Sequence, residues 1–183
     1  GSRLLAQYGG LRNLSRLSPH ELIKAHGLGP AKATTLKAAF ELGRRAERET
    51  LRETLITCAE DTFNIMGREM QALNTEEVHV ILINTRFAVI HRELLFKGGL
   101  SESVCHPREI LKTALLHHAY GFVLVHNHPS GDPQPSQADR TFTRKLKEAT
   151  TLMRMHLLDH VIIGHPAEGR SRPYFSFAEA GIL

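Results

Sequence analysis

Cysteine is scarce in this chain, and so are the other features that mark secreted and membrane proteins. Two cysteines, Cys58 and Cys105, in 183 residues cannot build a disulfide framework, so we expect a reducing, cytoplasmic setting. The longest apolar runs, 78–83 and 121–125, are far shorter than the roughly 20 residues that a membrane-spanning helix needs. The sequence opens without a charged-then-apolar leader, which predicts no secretory signal. Glycine and proline are not in excess, so we expect no large disordered fraction.

Charge, in contrast, is abundant and unevenly distributed. Residues 1–54 carry ten Lys and Arg against five Glu, whereas residues 55–183 carry thirteen basic and fourteen acidic residues. The net charge of +4 therefore resides in the first segment, which favours nucleic acid or another anionic partner there. A solvated basic helix is the ordinary alternative, and charge alone does not separate the two. The twelve histidines are many for this length and are typical of chains that bind metal.

Residues 1–53 are predicted to form a small all-α module. Residues 18–21, Ser-Pro-His-Glu, have the pattern of a capped helix start. The glycine-rich turn 27–30 ends that helix and leads to a second one, from about residue 31 to 48. Residues 44–54 are dense in charge and are interpreted as a helix end with a linker, which places the domain boundary near residue 53. The chain does not begin with methionine, and we expect the module to be N-terminally truncated.

Residues 54–183 are predicted to form an α+β domain. Apolar residues from Ile56 to Leu73 recur every three or four positions, which predicts a helix. Strands and helices then mix without a regular βαβ rhythm, so we expect a largely antiparallel sheet flanked by helices. The first predicted strands are 78–83 and 87–91, and 93–96 either extends the second strand or follows it. The later predicted elements are a helix opened by Pro107, a strand over 122–125, a helix over 137–153, and strands over 157–163 and 174–177.

Residues 125–139 carry the most informative pattern in the sequence. His126 and His128 end a predicted strand, where residues two apart point to the same face. A proline-glycine loop then crosses to a helix capped by Ser136, whose first turn holds Asp139. Two nitrogen ligands and one oxygen ligand suit zinc and leave a fourth position for water, as in catalytic zinc sites. A lone His-x-His pair also occurs as a structural pair at a strand end, but the added carboxylate favours metal binding.

A hydrolytic zinc site also needs a general base and a donor to the developing oxyanion. Glu76 and Glu77 stand at the mouth of the first predicted strand and are the candidates for the base. The hydroxyl of Ser136 is the candidate oxyanion donor, with helix capping as its ordinary alternative role. Other histidines are interpreted as structural. His160 is placed near the sheet edge, and the side chains of His117-His118 diverge by about 100° on a helix.

This motif resembles that of a known family. The run 126–131, His-Asn-His-Pro-Ser-Gly, followed by Ser136 and Asp139, resembles the His-x-His-Pro…Ser-x-x-Asp pattern of JAB/JAMM (MPN) metallopeptidases. It resembles the bacterial RadC family more closely, historically labelled DNA repair proteins, and segments 158–164 and 176–181 agree with that family too. The resemblance covers essentially the whole chain. It implies an MPN fold, of the cytidine-deaminase-like type, and amide or isopeptide bonds as the substrates of related enzymes. It also implies a site made of zinc bound by His126, His128 and Asp139, with a catalytic glutamate at Glu76.

The turn in the first segment resembles the hairpin of a helix-hairpin-helix module, which RadC chains also carry at the front. Its glycines permit close backbone approach, and exposed N–H groups at the start of the second helix favour an anion. Such contacts bind the DNA backbone without reading bases. Because a glycine there is also an ordinary helix terminator, DNA binding and a docking role both stay open. The residues assigned to this contact are Gly27, Leu28, Gly29 and Lys32.

These patterns are compatible with three functions. The first is a RadC-like zinc-dependent metallohydrolase of the peptidase or isopeptidase type. The second is a DNA-binding accessory protein in repair or recombination whose JAB domain has little or no turnover. The letters His-Asn-His suggest a metal-dependent nuclease as the third, but nuclease sites of that name spread their three residues over a hairpin and a helix. The complete ligand set with an acidic base favours the first.

Overall fold

The computed structural model describes residues 2–98 and 105–183. The chain divides into two compact units, residues 1–50 and residues 51–183. Within the described ranges, no helix is long and apolar enough to cross a membrane. The helices that begin in the first unit are α1 (Ser2–Tyr8), α2 (Leu11–Arg16), α3 (Pro19–Ile23) and α4 (Pro30–Glu53).

Two details of the first unit differ from the sequence prediction. Ser18 and Glu21 form the expected capping box, but α3 already ends at Ile23, before the turn. The segment interpreted as a linker is helical instead, because α4 continues to Glu53. The reason is local: residues 44–53 hold no glycine or proline, and alanine, glutamate and arginine all favour a helix.

A five-stranded sheet forms the centre of the second unit. The strand order is β2-β1-β3-β4-β5, in which β3 and β4 run parallel and the other neighbours run antiparallel. The predicted α+β class, with a largely antiparallel sheet and flanking helices, is therefore confirmed. The elements are α5 (Ala59–Gln71), β1 (Glu77–Ile83), β2 (Val89–Lys97), α6 (Pro107–Leu116), β3 (Gly121–Asn127), α7 (Gln137–Leu152), β4 (His156–Ile163) and β5 (Tyr174–Ser176).

The two faces of the sheet bury different helices. On one face, Phe122 and Leu124 of β3 pack in a cluster with residues of α6 and α7. On the other face, Val123 and Val125 pack in a cluster with α5. Ile56 joins that second cluster without being helical, contrary to prediction, because its N–H donates to the carbonyl of Phe87 at 2.9 Å. This alternation along β3 decides which side chains reach the α6–α7 side.

Candidate metal centre

β3 delivers His126 and His128 to the α6–α7 side of the sheet. His126 follows Phe122 and Leu124 at strand spacing, and its side chain is wholly buried. Beyond the end of β3, the N–H of His128 donates to the carbonyl of Ile163 at 2.9 Å, which continues the strand pairing by one residue. The Nε2 atoms of the two imidazoles are 3.1 Å apart.

Asp139 reaches the same point from the first turn of α7. The Oδ2 atom of Asp139 accepts hydrogen bonds from the N–H and the hydroxyl of Ser136, at 2.7 and 2.6 Å. This capping box turns the carboxylate back toward the end of β3. Oδ1 of Asp139 lies 3.3 Å from Nε2 of His126, and Oδ2 lies 3.5 Å from Nε2 of His128.

Close backbone contacts fix the loop between β3 and α7. A Cβ on Gly164 would lie 2.5 Å from the carbonyl oxygen of Gly131, so glycine is required where the chain after β4 passes the loop. The guanidinium of Arg170 donates to that same carbonyl at 2.7 Å and to the carboxylate of Asp132 at 3.0 Å. The backbone carbonyl of Asp132 lies 2.8 Å from Nδ1 of His128. The loop therefore orients the second imidazole.

The two candidate glutamates face opposite sides of the sheet. Glu76 directly precedes β1, and its Oε1 lies 3.7 Å from Nε2 of His126, with 30% of the side chain exposed. The carboxylate of Glu77 instead pairs with Lys97 at 2.6 Å and His79 at 3.1 Å. A single step along the strand thus separates a carboxylate beside the histidines of the candidate centre from a buried carboxylate that pairs with Lys97 and His79.

Asn127 fixes the segment that carries Glu76. Its side-chain oxygen accepts from the N–H of Glu77 at 2.8 Å, and its side-chain nitrogen donates to the carbonyl of Thr75 at 3.1 Å. These two bonds hold the backbone on both sides of Glu76. Sequence reasoning gave Asn127 no role, because its partners lie 50 and 52 positions away along the chain.

Together, these groups form a compact set of possible metal ligands. One ligand atom each from Glu76, His126, His128 and Asp139 lie within 4.8 Å of one another. The ligands of a tetrahedral zinc ion, at about 2.0–2.2 Å from it, are about 3.3–3.6 Å apart. The distances between the ligand atoms of the two histidines and Asp139 are 3.1, 3.3 and 3.5 Å. Both the donor types and their spacing therefore fit a small divalent cation.

The hydrogen bonds at the far side of each ring indicate where the lone pairs point. Nδ1 of His128 faces a carbonyl, which only accepts, so this nitrogen carries the proton and Nε2 presents a lone pair. Nδ1 of His126 lies 2.8 Å from Nε2 of His160. When His126 donates in that bond, its own Nε2 also presents a lone pair. Two lone pairs and two carboxylates then face one another, a repulsive arrangement that a bound cation relieves.

The protonation states in this cluster depend on one another. Burial opposes ionisation of Asp139, but when the Nε2 atoms of His126 and His128 carry protons, their hydrogen bonds hold its pKa well below its usual range. The hydrogen bond to Asp139 raises the pKa of His128, against the opposing effect of burial. A proton on His128 and a metal ion therefore compete for the same negative charge. For His160, burial lowers the pKa well below its usual value and keeps the ring neutral.

His160 has a contact that the sequence did not indicate. It was expected to be a structural residue near the sheet edge, and β4 does lie next to the short edge strand β5. Its ring is wholly buried and contacts His126. The available signal was the polar pair Asp159-His160 between the apolar residues of β4. His117, also interpreted as structural, stacks on His91 with 3.9 Å between ring centroids.

The predicted nucleic-acid residues lie around one turn of the first unit. Gly27 adopts φ +82°, a left-handed conformation that favours glycine. Leu28 is half-buried against the apolar cluster of that unit, and Gly29 precedes the first residue of α4. The ammonium of Lys32 donates to the carbonyl of Gly27 at 3.3 Å. A cation thus stands at the start of α4, while its contact with nucleic acid stays a prediction.

Comparison with known proteins places the chain among curated relatives named UPF0758 proteins. One from Bacillus licheniformis is 41% identical over 183 residues, which is 100% of this chain and 79% of the relative. One from Desulfitobacterium hafniense is 40% identical over 182 residues, covering 99% of this chain and 78% of the relative. A family model described as the RadC-like JAB domain matches residues 56–182. The chain belongs to the RadC family.

RadC membership confirms the resemblance that the motif carried and agrees with the mixed sheet flanked by helices. The matched region contains all four members of the possible metal-binding group, and domains of this JAB type generally depend on a metal. It begins after α4, so the match to the RadC-like JAB domain does not extend to the first unit.

Proposed function

We propose that this RadC protein is a zinc-dependent hydrolase that cleaves amide or isopeptide bonds. The observation that carries the proposal is the convergence of His126, His128 and Asp139 on one point, with Glu76 beside them. Zinc, when bound, supplies a water whose pKa is lowered to about 7 and polarises the substrate carbonyl. Three protein ligands are the number found in catalytic zinc sites, whereas structural sites are closed by four.

Glu76 is the proposed general base. Its carboxylate lies 3.7 Å from Nε2 of His126, farther than the 3.3 Å of Asp139, which suits a group that contacts a water at the centre. From there Glu76 accepts a proton from the attacking water and delivers it to the nitrogen of the leaving amine. Water and amide thereby become acid and amine, with no other reactant consumed. Partial exposure of the Glu76 side chain leaves it accessible to a substrate.

Ser136 is proposed to donate to the oxyanion, and the structure adds a condition to that role. Its hydroxyl proton is engaged with Oδ2 of Asp139 at 2.6 Å, the capping arrangement that the sequence left as the alternative. Donation to a substrate therefore requires that this bond be exchanged. Ser136→Ala separates the two roles, because loss of Asp139 positioning lowers zinc affinity whereas loss of an oxyanion donor lowers kcat at full zinc loading.

Zinc content and a matched pair of glutamate variants test the hydrolase proposal. We expect the purified chain to hold close to one zinc ion by elemental analysis and Asp139→Ala to lose most of it. Cleavage of a mixture of linear and isopeptide-linked peptides, read by mass spectrometry, should fall about 10²–10⁴-fold in Glu76→Gln at unchanged zinc content. Glu77→Gln is the control and should keep both properties.

Two results would count against this proposal. Stoichiometric zinc in Asp139→Ala would overturn the ligand assignment. Undiminished cleavage by Glu76→Gln would overturn the assignment of the base, and loss of cleavage only in Glu77→Gln would move that role to its neighbour.

A second candidate function, DNA association, involves residues 1–53. The excess of basic residues in this segment, the exposed glycine turn and the ammonium of Lys32 at the start of α4 favour contact with phosphates. Under this proposal the protein is an accessory factor in repair or recombination, and its JAB domain turns over little. DNA association is compatible with hydrolase activity in one chain, whereas a JAB domain with little turnover is not, so each property is tested separately.

A charge-reversal pair in the full chain tests DNA association. Fluorescence anisotropy with a random-sequence duplex should show affinity that falls steeply with salt. Lys32→Glu should weaken binding and reduce the salt dependence by about one released counterion. Lys112→Glu, an exposed lysine of α6, is the control and should leave binding unchanged. An equal loss in both variants would contradict the placement of the contact.

A further inference from the structure

A buried chain of hydrogen bonds connects two of the proposed metal ligands. Nε2 of His160 lies 2.8 Å from Nδ1 of His126, and Nδ1 of His160 lies 2.6 Å from the hydroxyl of Thr143. The same hydroxyl lies 2.6 Å from the backbone carbonyl of Asp139. His126 and His160 are wholly buried and Thr143 is 2% exposed, so bulk water does not compete for these bonds.

The direction of each bond follows from the protons available. A carbonyl only accepts, so the single hydroxyl proton of Thr143 goes to Asp139. The hydroxyl oxygen then accepts from Nδ1–H of His160. A neutral imidazole carries one N–H, which leaves Nε2 of His160 to accept from Nδ1–H of His126. Nε2 of His126 is thereby left with a lone pair toward His128 and Asp139.

We propose that His160 and Thr143 are positioning residues that lock His126 in the tautomer able to bind a metal. The inference rests on the metal centre proposed above and names residues outside its ligand set. The relay starts at the backbone of Asp139 in α7, passes through β4 and ends on the ring of His126 in β3. Without this relay, the ring proton of His126 can move to Nε2, the nitrogen that faces the metal position. A metal ion then has to displace that proton before it binds.

His160 is itself held in place from two directions. Its ring stacks on Phe177, with 4.8 Å between centroids and 11° between planes. The backbone N–H of His160 donates to Oδ1 of Asp159 at 2.7 Å. The same carboxylate also accepts from the backbone N–H of Ala178 and the hydroxyl of Ser176. Asp159 thus ties the chain after β5 to β4 and keeps Phe177 against the ring. A ring so confined does not flip freely, which a tautomer lock requires.

Thr143→Val tests the relay because it replaces the hydroxyl by a methyl group with little change in shape. Thr150→Val is the matched control: Thr150 lies on the same helix, is 1% exposed, and donates its hydroxyl to the carbonyl of Lys147 at 2.8 Å. Thr143→Ser restores the hydroxyl. His160→Phe is a second test that removes both bonds of the ring and retains an aromatic group against Phe177.

Two measurements report on the lock. Competition with a chromophoric chelator should show zinc affinity weakened about 10–100-fold in Thr143→Val and His160→Phe, the usual range for loss of a bond behind a metal ligand. Thr150→Val and Thr143→Ser should keep the wild-type affinity. Imidazole ¹⁵N shifts of the zinc-free protein should show Nδ1–H at His126 in the wild type and a population with Nε2–H in Thr143→Val.

The outcomes separate this inference from the hydrolase proposal. Wild-type affinity and an unchanged His126 tautomer in Thr143→Val would overturn the relay, and so would an equal affinity loss in Thr150→Val, because the cause would then be the helix. If the wild type bound no zinc, the hydrolase proposal would fail, and the ¹⁵N shifts would still decide whether Thr143 sets the tautomer.

Discussion

Zinc is expected to stabilise the second unit by an amount set by its free concentration. All three proposed ligands, His126, His128 and Asp139, lie within residues 51–183, so binding favours the folded form of that unit. Above saturation, each tenfold rise in free zinc adds about 1.4 kcal/mol to the free energy of unfolding. A unit of about 130 residues unfolds with an entropy near 0.28 kcal/mol/K, at about 2.1 cal/mol/K per residue. The melting temperature should therefore rise by about 5 °C per decade of free zinc.

The assay is thermal unfolding of chelator-stripped protein in zinc buffers that span several decades around saturation. Asp139→Ala should give a flat profile because it removes a ligand. Glu77→Gln is the informative control: it should start from a lower melting temperature, since Glu77 is 6% exposed and paired with Lys97, but it should keep the zinc-dependent slope. Magnesium should give no slope, because it prefers an octahedral shell of oxygen ligands.

The slope makes this prediction easy to refute. It depends on the size of the unit and on binding to the folded form, and not on the unknown dissociation constant. A melting temperature that stays constant across the zinc series would refute a metal site in the folded protein. A slope shared by Asp139→Ala would show that zinc binds, but at residues other than the proposed ligands.

Three further predictions use other parts of the structure. Zinc affinity should fall as the pH drops through the pKa of His128, because a proton then occupies this ligand. The hydrogen bond to Asp139 raises that pKa above its usual value. Competition titrations at several pH values measure the affinity, and an affinity that does not change with pH would contradict the prediction. Burial raises the pKa of the Cys105 thiol to about 12, so an alkylating reagent at neutral pH should modify the exposed Cys58 in the native protein and both thiols after unfolding. Rapid native labelling at both positions, seen by mass spectrometry, would be inconsistent with the fold. Asn127→Ala should lower the free energy of unfolding by about 1–3 kcal/mol, because it leaves two backbone groups at the entry to β1 without their partner. The variant should retain zinc. Urea unfolding and zinc content measure the two effects, and loss of the metal would show that Asn127 supports the ligands themselves.

Local patterns predicted most elements of the second unit because their signals are contained within a few residues. The dense apolar run at 78–83 became β1, one residue longer at its start, and the Ser136 cap began α7 where expected. Boundaries were less predictable where pairing decides them. The sequence left open whether 93–96 extends the strand predicted at 87–91 or follows it. The structure has one strand, β2, from Val89 to Lys97, because β1 provides pairing partners along its whole length.

The candidate centre was predictable only where its residues are close in sequence. His126, His128 and Asp139 fall within one strand, loop and helix start, so strand period and capping sufficed to bring them together. The choice between Glu76 and Glu77 needed the register of β1 against β3, which pairs residues 48 positions apart in the case of Val78 and His126. The sequence alone offers no means of fixing such a register to one residue.

In the run His126-Asn127-His128, successive side chains point to opposite faces of the sheet and so make different contacts. The two histidines point to the α6–α7 side, where their Nε2 atoms converge, whereas Asn127 points away and binds the backbone on both sides of Glu76. Consecutive letters that superficially suggest a nuclease therefore belong to a different arrangement. The outer residues are proposed metal ligands, and the middle residue binds the backbone on both sides of the proposed base, Glu76. A one-residue slip of β3 against β1 would place Asn127 at the centre and both imidazoles on the α5 face. The pairing of these two strands thus brings the proposed metal ligands and the proposed general base together, and a shift in that pairing should displace both.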